Sequence, residues 1–334
     1  MRHYYRLTDL APDEILGLLD RAEHHRHNPR SDTLARKEFV LIFLNPSLRT
    51  RASFEVAIRH MGGGVTTLGS DAIWPLEAQS GAVMDQQQTE HVFEAAMVLS
   101  RYYDGIGVRS LARGKSREED LQDQVLASFM ERAQVPVFNM ESAMYHPCQA
   151  IGDLLTIRDL LGEFKGRKIT ITWAYHPKAL PISVPNSILL AACKTGMDVT
   201  LAHPPEFGLP AGIMELARDE IQRSGGALRV AHDRLEALKD SEIVYAKAWG
   251  GLHRYEDAAA EAADRDRNRA WMIDKHAMSC TRRAFFMHCL PARRNVVVTD
   301  EVLESAASKV IHQAENRLHV QKAILEWLYA WNER

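Results

Sequence analysis

The segment that decides the fold runs Asn45-Pro46-Ser47-Leu48-Arg49-Thr50-Arg51-Ala52-Ser53-Phe54-Glu55 and follows the apolar run Phe39-Val40-Leu41-Ile42-Phe43. The apolar run predicts a strand. Beyond the segment, apolar residues recur at three- and four-residue spacing as far as Met61, which predicts a helix. Ser47 suits the N-cap of that helix. The sequence therefore predicts a strand, a tight turn and the start of a helix.

This predicted turn has the chemistry of an anion site. A helix leaves its first backbone N–H groups unpaired, and its dipole favours negative charge there. Arg49 and Arg51 add planar, permanently charged guanidiniums that suit phosphate oxygens. The alternative is an ordinary N-cap followed by solvated arginines, and the strand on one side with an amphipathic helix on the other argues against it. The predicted ligand is a phosphate.

Composition limits the class of protein. The 334 residues are 46% hydrophobic and 25% charged, which suits two globular domains with their own cores. A net charge of −3 argues against a general nucleic-acid or membrane surface. The N-terminal residues lack the apolar core of a signal peptide, and no apolar run is long enough to cross a bilayer, so we expect a cytoplasmic protein. The scattered cysteines form no C-x-x-C pair, so neither a disulfide framework nor a cysteine zinc site is expected.

Predicted strands and helices alternate along the chain. Further strands are predicted at 65–68, 105–108, 135–138, 168–173, 199–201 and 243–245. Helices are predicted at 90–103, 118–133, 186–194, 213–222 and 321–331. This alternation is typical of a doubly wound α/β fold, whose ligands bind beyond the carboxyl ends of parallel strands. Arg49, Arg109 and His146 each follow a predicted strand, so we expect them to converge on one crevice. Segment 255–269, poor in large apolar residues, predicts an exposed insertion.

Three short motifs resemble the signatures of the aspartate/ornithine carbamoyltransferase family, in the family's order. They stand at 47–51 (SLRTR), 146–149 (HPCQ) and 288–291 (HCLP), and the likeness covers nearly the whole chain. The resemblance implies a carbamoyl phosphate-binding domain of residues 1–146, to which a C-terminal helix at 317–334 returns, and an amino-acid-binding domain of residues 147–316. It also implies parallel sheets in both domains, a knot in the second, and a homotrimer with shared active sites.

The family's reaction explains these residue types. An amine attacks the carbonyl carbon of carbamoyl phosphate, negative charge builds on the carbonyl oxygen, and phosphate leaves, so no cofactor or metal is expected. Hydrogen-bond donors aimed at that oxygen are worth on the order of 3 kcal/mol each in comparable sites. The resemblance implies that Arg109 and His146 reach this oxygen. Gln149 and the backbone carbonyls of Cys289 and Leu290 would hold the carbamoyl NH₂ group.

The resemblance therefore implies three catalytic residues, Arg109, His146 and Gln149. It implies a larger set for binding carbamoyl phosphate: Ser47, Leu48 (through its backbone), Arg49, Thr50, Trp74, Arg109, His146, Gln149, Cys289, Leu290 and Arg317. The loop with Trp74 enters the neighbouring subunit's site in similar proteins. Taken singly, His146 could be a helix-capping residue and Arg109 a surface charge, and we interpret Cys289 as a small apolar residue and not as a nucleophile.

Lys247 bears on the choice of amine. Ornithine-specific members carry an aspartate that pairs with the substrate's α-ammonium, and this chain has Lys247 in its place, with no Ser-Met-Gly after it. Two positive charges about 4 Å apart repel by roughly 4 kcal/mol at an effective dielectric near 20. An N-acylated ornithine lacks that charge and keeps a carboxylate. The surroundings resemble the N-acetylornithine and N-succinylornithine carbamoyltransferases, which implies acceptor contacts from Glu141, Lys247, Leu290 and Thr89.

The sequence is compatible with two acyl groups on the acceptor, acetyl and succinyl. Acetyl-type members have a glutamate where Thr89 stands, and a neutral residue there favours a succinyl group. The segment around Arg317 resembles the acetyl type, and Val297 stands where that type can have a lysine. We expect an enzyme that produces N-acylcitrulline and phosphate in arginine biosynthesis.

Alternative functions have less support. They are a carbamoyltransferase for plain ornithine or another amine, and a non-catalytic anion-binding homologue. A dinucleotide-binding dehydrogenase is disfavoured because Gly62-Gly63-Gly64 precedes a predicted strand and lacks the G-x-G-x-x-G spacing.

Overall fold

The computed structural model of the protein describes residues 2–85 and 87–329. The chain divides into two compact units, one of Met1–Cys148 with Arg317–Arg334 and the other of Gln149–Asn316. Each unit contains a parallel sheet flanked by helices, so the predicted α/β class is confirmed. The knot inferred for the second unit stays a prediction.

The first unit begins with helix α1 and ends its sheet with strand β6. Its elements are α1 (Pro12–His27), β1 (Glu38–Phe43), α2 (Leu48–His60), β2 (Gly64–Gly69), β3 (Leu76–Glu77), β4 (Glu90–His91), α3 (Val92–Tyr102), β5 (Gly105–Ser110), α4 (Arg117–Leu121), α5 (Gln124–Arg132) and β6 (Val137–Ser142). The sheet order is β2-β1-β5-β6, with all pairs parallel. Strand β1 is buried from Phe39 to Phe43, as expected of a parallel strand covered on both faces.

Helix α6 (Pro147–Leu161) leads into the second unit. The following elements are β7 (Lys168–Trp173), α7 (Ser183–Lys194), β8 (Asp198–Ala202), α8 (Ala211–Ser224), β9 (Ala227–Ala231), α9 (Arg234–Ala237), β10 (Ile243–Lys247), α10 (Ala258–Arg267), α11 (Lys275–Ser279), β11 (Phe285–Met287), α12 (Asp300–Leu303) and α13 (Val310–Tyr329). The parallel sheet order is β11-β10-β7-β8-β9. Strands β9 and β11 were not predicted from the sequence.

Two predicted elements of the first unit differ from the structure. The helix predicted at 118–133 is divided into α4 and α5 at Asp123, whose φ of 52° is in the left-handed region. Strand β6 continues through Glu141 to Ser142, beyond the strand predicted at 135–138. Because these last strand residues are polar, the sequence did not distinguish the buried end of the strand from a loop.

The prediction that segment 255–269 is an exposed insertion is wrong in its centre. Helix α10 buries Glu261 and Arg265, which are only 1% and 7% exposed. They form an ion pair, and Glu261 Oε1 also accepts a hydrogen bond of 3.1 Å from the backbone N–H of Gly251. Pairing and hydrogen bonding allow charged side chains to be buried, and composition alone does not reveal such a pair.

Helix α13 is longer than the predicted final helix and begins at Val310. Its last part belongs to the first unit, where Glu326 pairs with Arg21 and lies 2.9 Å from His25 Nε2. The predicted helix extended to Trp331, which lies outside the described residues. Within residues 2–85 and 87–329, no helix combines the length and apolar character needed to cross a membrane.

Candidate active site

The amino end of α2 carries the first predicted motif. Ser47 is the N-cap, as predicted, and its Oγ accepts a hydrogen bond of 3.3 Å from the Thr50 backbone N–H. Leu48, the first residue of the helix, is 79% exposed. Arg317 is 3% exposed and donates from Nη2 to Thr50 Oγ1 over 3.2 Å. The first unit thus places a buried guanidinium and a hydroxyl beside a helix amino end, which is a favourable environment for a phosphate.

Arg109, Glu141 and His146 form a second group in the first unit. Arg109 stands near the end of β5 and forms a buried ion pair with Glu141 of the neighbouring strand β6. His146 Nε2 lies 3.5 Å from the same Glu141 carboxylate oxygen, Oε2. Among the residues that the structure describes, the buried Nε of Arg109 has no hydrogen-bond partner. The structure therefore brings together two residues predicted to act on carbamoyl phosphate and one predicted to contact the acceptor.

Asp123 holds the loop that leads to His146. Its carboxylate is 3% exposed and accepts hydrogen bonds from Ser142 Oγ (2.7 Å), the Met144 backbone N–H (3.1 Å) and Tyr5 Oη (3.1 Å). Burial raises the pKa of this carboxyl group to about 6. The left-handed conformation that divides α4 from α5 therefore has a structural role, because it accompanies a carboxylate buried beneath the loop.

The raised pKa of Asp123 predicts a pH effect on stability. An acid whose pKa is higher in the folded state adds stability that is complete below its unfolded pKa, near 3.9, and is lost as the pH rises through its folded pKa. Compared with the non-titrating variant Asp123→Asn, the wild type should gain about 1 kcal/mol of unfolding free energy between pH 7 and pH 5. Urea unfolding of both proteins at the two pH values measures this gain. The same pH dependence of the unfolding free energy in both proteins would contradict a raised pKa for Asp123.

Trp74 and Thr89 lie in one loop region of the first unit. The Thr89 backbone N–H donates to the carbonyl of Pro75 over 3.3 Å, which places Thr89 next to the residue that follows Trp74. Trp74 is 68% exposed and borders a cavity of about 490 Å³ that is also lined by Asn45 and Ser110, at the ends of β1 and β5. This loop therefore lies at the carboxyl edge of the sheet, where the doubly wound fold places its ligands.

In the second unit, Lys247 is the last residue of β10 and only 8% exposed. Its Nζ donates to the carbonyl of Ala248 over 2.7 Å. His176 follows the neighbouring strand β7 and accepts a hydrogen bond of 3.0 Å on Nδ1 from the Lys178 backbone N–H. Burial lowers the pKa of His176, and the charges of Arg293, Lys247 and Arg265 lower it further.

These residues make the carboxyl edge of the second sheet positive. His176 and Arg293 were not among the predicted site residues. The sequence feature that could have indicated them is a position after a strand. Many residues share that position, so only the structure distinguishes these two. A neutral His176 with Lys247 and Arg293 nearby suits a ligand that carries carboxylate groups.

Gln149, Cys289 and Leu290 also belong to the second unit. Gln149 is in the first turn of α6 and is 2% exposed. Cys289 and Leu290 follow β11, and the Leu290 backbone N–H donates to His288 Nδ1 over 2.9 Å. Leu290 has a φ of 55°, a left-handed conformation that costs a residue other than glycine about 1–3 kcal/mol and that is concentrated at functional sites. Among the described residues, no group of His, Cys, Asp and Glu side chains could hold a metal ion.

The chain matches two family models. Residues 2–159 match the carbamoyl-P binding domain of aspartate/ornithine carbamoyltransferase, and residues 165–328 match the Asp/Orn binding domain. An N-acetylornithine carbamoyltransferase of Xanthomonas campestris pv. campestris is 41% identical over 97% of this chain and 97% of that protein. An N-succinylornithine carbamoyltransferase of Bacteroides thetaiotaomicron is 38% identical over 84% of each chain.

Solved structures give the same result. Acetylornithine transcarbamylase complexed with acetylcitrulline has a TM-score of 0.96 and 40% identity, over 99% of this chain and 100% of that one. A glutamate-to-alanine mutant of N-acetyl-L-ornithine transcarbamylase, complexed with carbamyl phosphate and N-succinyl-L-norvaline, has a TM-score of 0.96 and 41% identity, over 98% and 100% of the two chains. The chain therefore belongs to the aspartate/ornithine carbamoyltransferase family.

Proposed function

We propose that this protein transfers the carbamoyl group of carbamoyl phosphate to the side-chain amine of an N-acylated ornithine, giving N-acylcitrulline and phosphate. The observation that carries the acceptor is Lys247, a buried cation at the end of β10 with further cations nearby. A free α-ammonium at about 4 Å would be repelled by roughly 4 kcal/mol at an effective dielectric near 20. An acylated α-nitrogen avoids this repulsion, and the α-carboxylate can pair with Lys247.

The first unit supplies the groups that act on carbamoyl phosphate. In this proposal Ser47, the Leu48 backbone N–H, Arg49 and Thr50 bind the phosphate, and Arg317 stands beside Thr50. Arg109 and His146 donate to the carbonyl oxygen as negative charge develops on it. Glu141 lies against both of these side chains, so its carboxylate holds them in place before it contacts the acceptor.

The second unit supplies the groups that act on the carbamoyl nitrogen and on the acceptor. Gln149 and the carbonyls of Cys289 and Leu290 accept hydrogen bonds from the carbamoyl NH₂. Lys247 binds the acceptor's carboxylate, and Leu290 contacts the rest of the acceptor. Thr89, a residue of the first unit, also contacts the acceptor in this proposal. The reaction needs an uncharged amine held against one face of the carbonyl group, where it forms the new C–N bond as the C–O bond to phosphate breaks and its surplus proton leaves with the phosphate. Positioning of the amine accounts for much of the expected rate.

Product analysis tests this function. Purified protein, carbamoyl phosphate and N-acetylornithine or N-succinylornithine should yield N-acylcitrulline and phosphate in equal amounts, identified by mass spectrometry and a phosphate assay. Phosphate release without an acylcitrulline product would contradict the proposal. We place the reaction in arginine biosynthesis because citrulline derivatives have the carbon and nitrogen skeleton from which an arginine side chain is made.

Thr89 is proposed to favour a succinyl group over an acetyl group, because it is neutral and does not repel a second carboxylate. Thr89→Glu should lower kcat/KM for N-succinylornithine relative to N-acetylornithine by about 10-fold, through repulsion of like charges in a partly solvated site. Thr89→Gln, a neutral residue of similar size to Glu, is the matched control and should leave the ratio unchanged. Equal ratios in the two variants would show that the charge at this position does not select the acyl group.

We also propose a homotrimer with sites shared between subunits. Trp74 and Val83, in one loop region, are 68% and 82% exposed, and such exposed apolar side chains are typical of interaction surfaces. Light scattering after size exclusion should give three times the 37.7 kDa mass of one chain. A fully active monomer would contradict this assembly.

A further inference from the structure

One buried carboxylate of the second unit, that of Asp153, takes no direct part in the proposed reaction. Asp153 lies one turn after Gln149 on α6, and its side chain is 0% exposed. Its Oδ1 accepts hydrogen bonds from Gln149 Nε2 at 2.7 Å and from Gln313 Nε2 at 2.6 Å. Burying a carboxylate is costly unless it is hydrogen-bonded, and here two side-chain amides supply those bonds.

The bond to Asp153 determines which way the Gln149 amide faces. An ionised carboxylate accepts hydrogen bonds and donates none, so Gln149 directs its NH₂ towards Asp153 and its Oε1 away from it. Gln149 must present Oε1 in order to accept from a carbamoyl NH₂. If the Gln149 amide rotated by half a turn, its NH₂ would face the NH₂ of the carbamoyl group. Neither group could accept a hydrogen bond, so the contact would become unfavourable.

The same carboxylate orients a second set of acceptors through Gln313. Because the Gln313 NH₂ is directed to Asp153, its Oε1 is free to accept from the His288 backbone N–H at 2.9 Å. His288 Nδ1 in turn accepts from the Leu290 backbone N–H at 2.9 Å. These bonds fix the backbone on both sides of Cys289. The carbonyls of Cys289 and Leu290 are the other proposed acceptors for the carbamoyl NH₂.

We propose that Asp153 is a positioning residue that orients both sets of NH₂ acceptors, and that it thereby makes the site prefer carbamoyl phosphate over an acyl phosphate with a methyl group in place of the amine. The inference rests on the proposed function, because it assigns these acceptors to the carbamoyl group. Asp153 acts through Gln149 and Gln313 and does not itself touch the substrate.

Acetyl phosphate is the probe that isolates this role. It has the phosphate and the carbonyl oxygen of carbamoyl phosphate but no N–H group. Dissociation constants for both compounds, measured by calorimetry without an acceptor, give the preference of the site for the amine. In Asp153→Leu this preference should fall by about 10- to 100-fold, the effect of one or two misdirected hydrogen bonds, while acetyl phosphate binding changes by less than about threefold. Equal weakening of both ligands would overturn the proposal, because it would indicate a merely structural role.

Two further variants keep the test decisive. Asp153→Asn retains an oxygen that can accept from both amides, so it should keep the preference within about threefold of the wild type. If Asp153→Leu does not fold, Gln313→Met removes the connection to His288 while roughly conserving side-chain volume. Its preference should fall by about 10-fold. An unchanged preference in Gln313→Met would contradict the proposed coupling.

The assay also separates this inference from the proposed function, because it contains no acceptor. The proposed function alone would be refuted if the wild type prefers carbamoyl phosphate and Asp153→Leu does not, but the wild type turns over no ornithine derivative in a separate assay with an acceptor. Turnover of an acylornithine with an unaltered preference in Asp153→Leu would refute this inference alone.

Discussion

Arg109→Gln is expected to lower kcat by about 100- to 1,000-fold, with a smaller change in the KM for carbamoyl phosphate. In the proposed reaction the buried guanidinium donates to the carbonyl oxygen, where negative charge is greater in the transition state than in the substrate, and such a donor acts mainly on kcat. Steady-state kinetics of the variant and the wild type measure the effect. Arg132→Gln, which changes an exposed arginine of the same unit, is the matched control and should behave as wild type.

A double variant separates this role from simple charge balance. Arg109 pairs with Glu141, so its removal leaves a buried carboxylate beside His146 without that guanidinium. In Arg109→Gln/Glu141→Gln the carboxylate is neutralised as well, and the reaction should remain at least as slow as in the single variant. Recovery to within about 10-fold of the wild type would indicate that Arg109 serves mainly to neutralise Glu141, contrary to its proposed role.

Lys247→Met is expected to reduce the ratio of kcat/KM for N-acylornithine to kcat/KM for ornithine by on the order of 1,000-fold. Both substrates carry the α-carboxylate, so the lost attraction for it cancels in the ratio. The ratio changes because the variant no longer repels the free α-ammonium of ornithine. Lys168→Met is the control, because Lys168 is an exposed lysine at the opposite end of the neighbouring strand β7. If Lys247→Met leaves the ratio of the two kcat/KM values unchanged, the acceptor's α-substituents do not lie at Lys247.

The sequence predicted those parts of the fold that depend on local pattern. Apolar runs such as the one through Phe43 predicted buried parallel strands, and the residue types at 46–50 predicted the N-cap at Ser47, because strand burial and capping are short-range effects. Short or polar strands were harder to predict. Strand β11 has only three residues, and β6 ends in polar side chains that are buried because of their tertiary contacts.

The chemistry of the site was predicted only in part, for a related reason. The motif residues were identified by their types and spacing, together with the family resemblance. Buried polar partners were not predicted, because Asp153 on α6 and the Glu261–Arg265 pair on α10 resemble ordinary polar helix residues until the structure shows them buried. His176 and Arg293 were missed in the same way, since the positive charge around Lys247 arises from loops that are distant in sequence.

The most direct test of the central claim is kcat/KM for ornithine, N-acetylornithine and N-succinylornithine, measured side by side at saturating carbamoyl phosphate. At least one acylated form should exceed free ornithine by on the order of 1,000-fold, the factor that corresponds to roughly 4 kcal/mol of charge repulsion at Lys247. Citrulline formation from free ornithine that is faster than carbamoylation of both acylated forms would contradict the proposed acceptor and the role of Lys247.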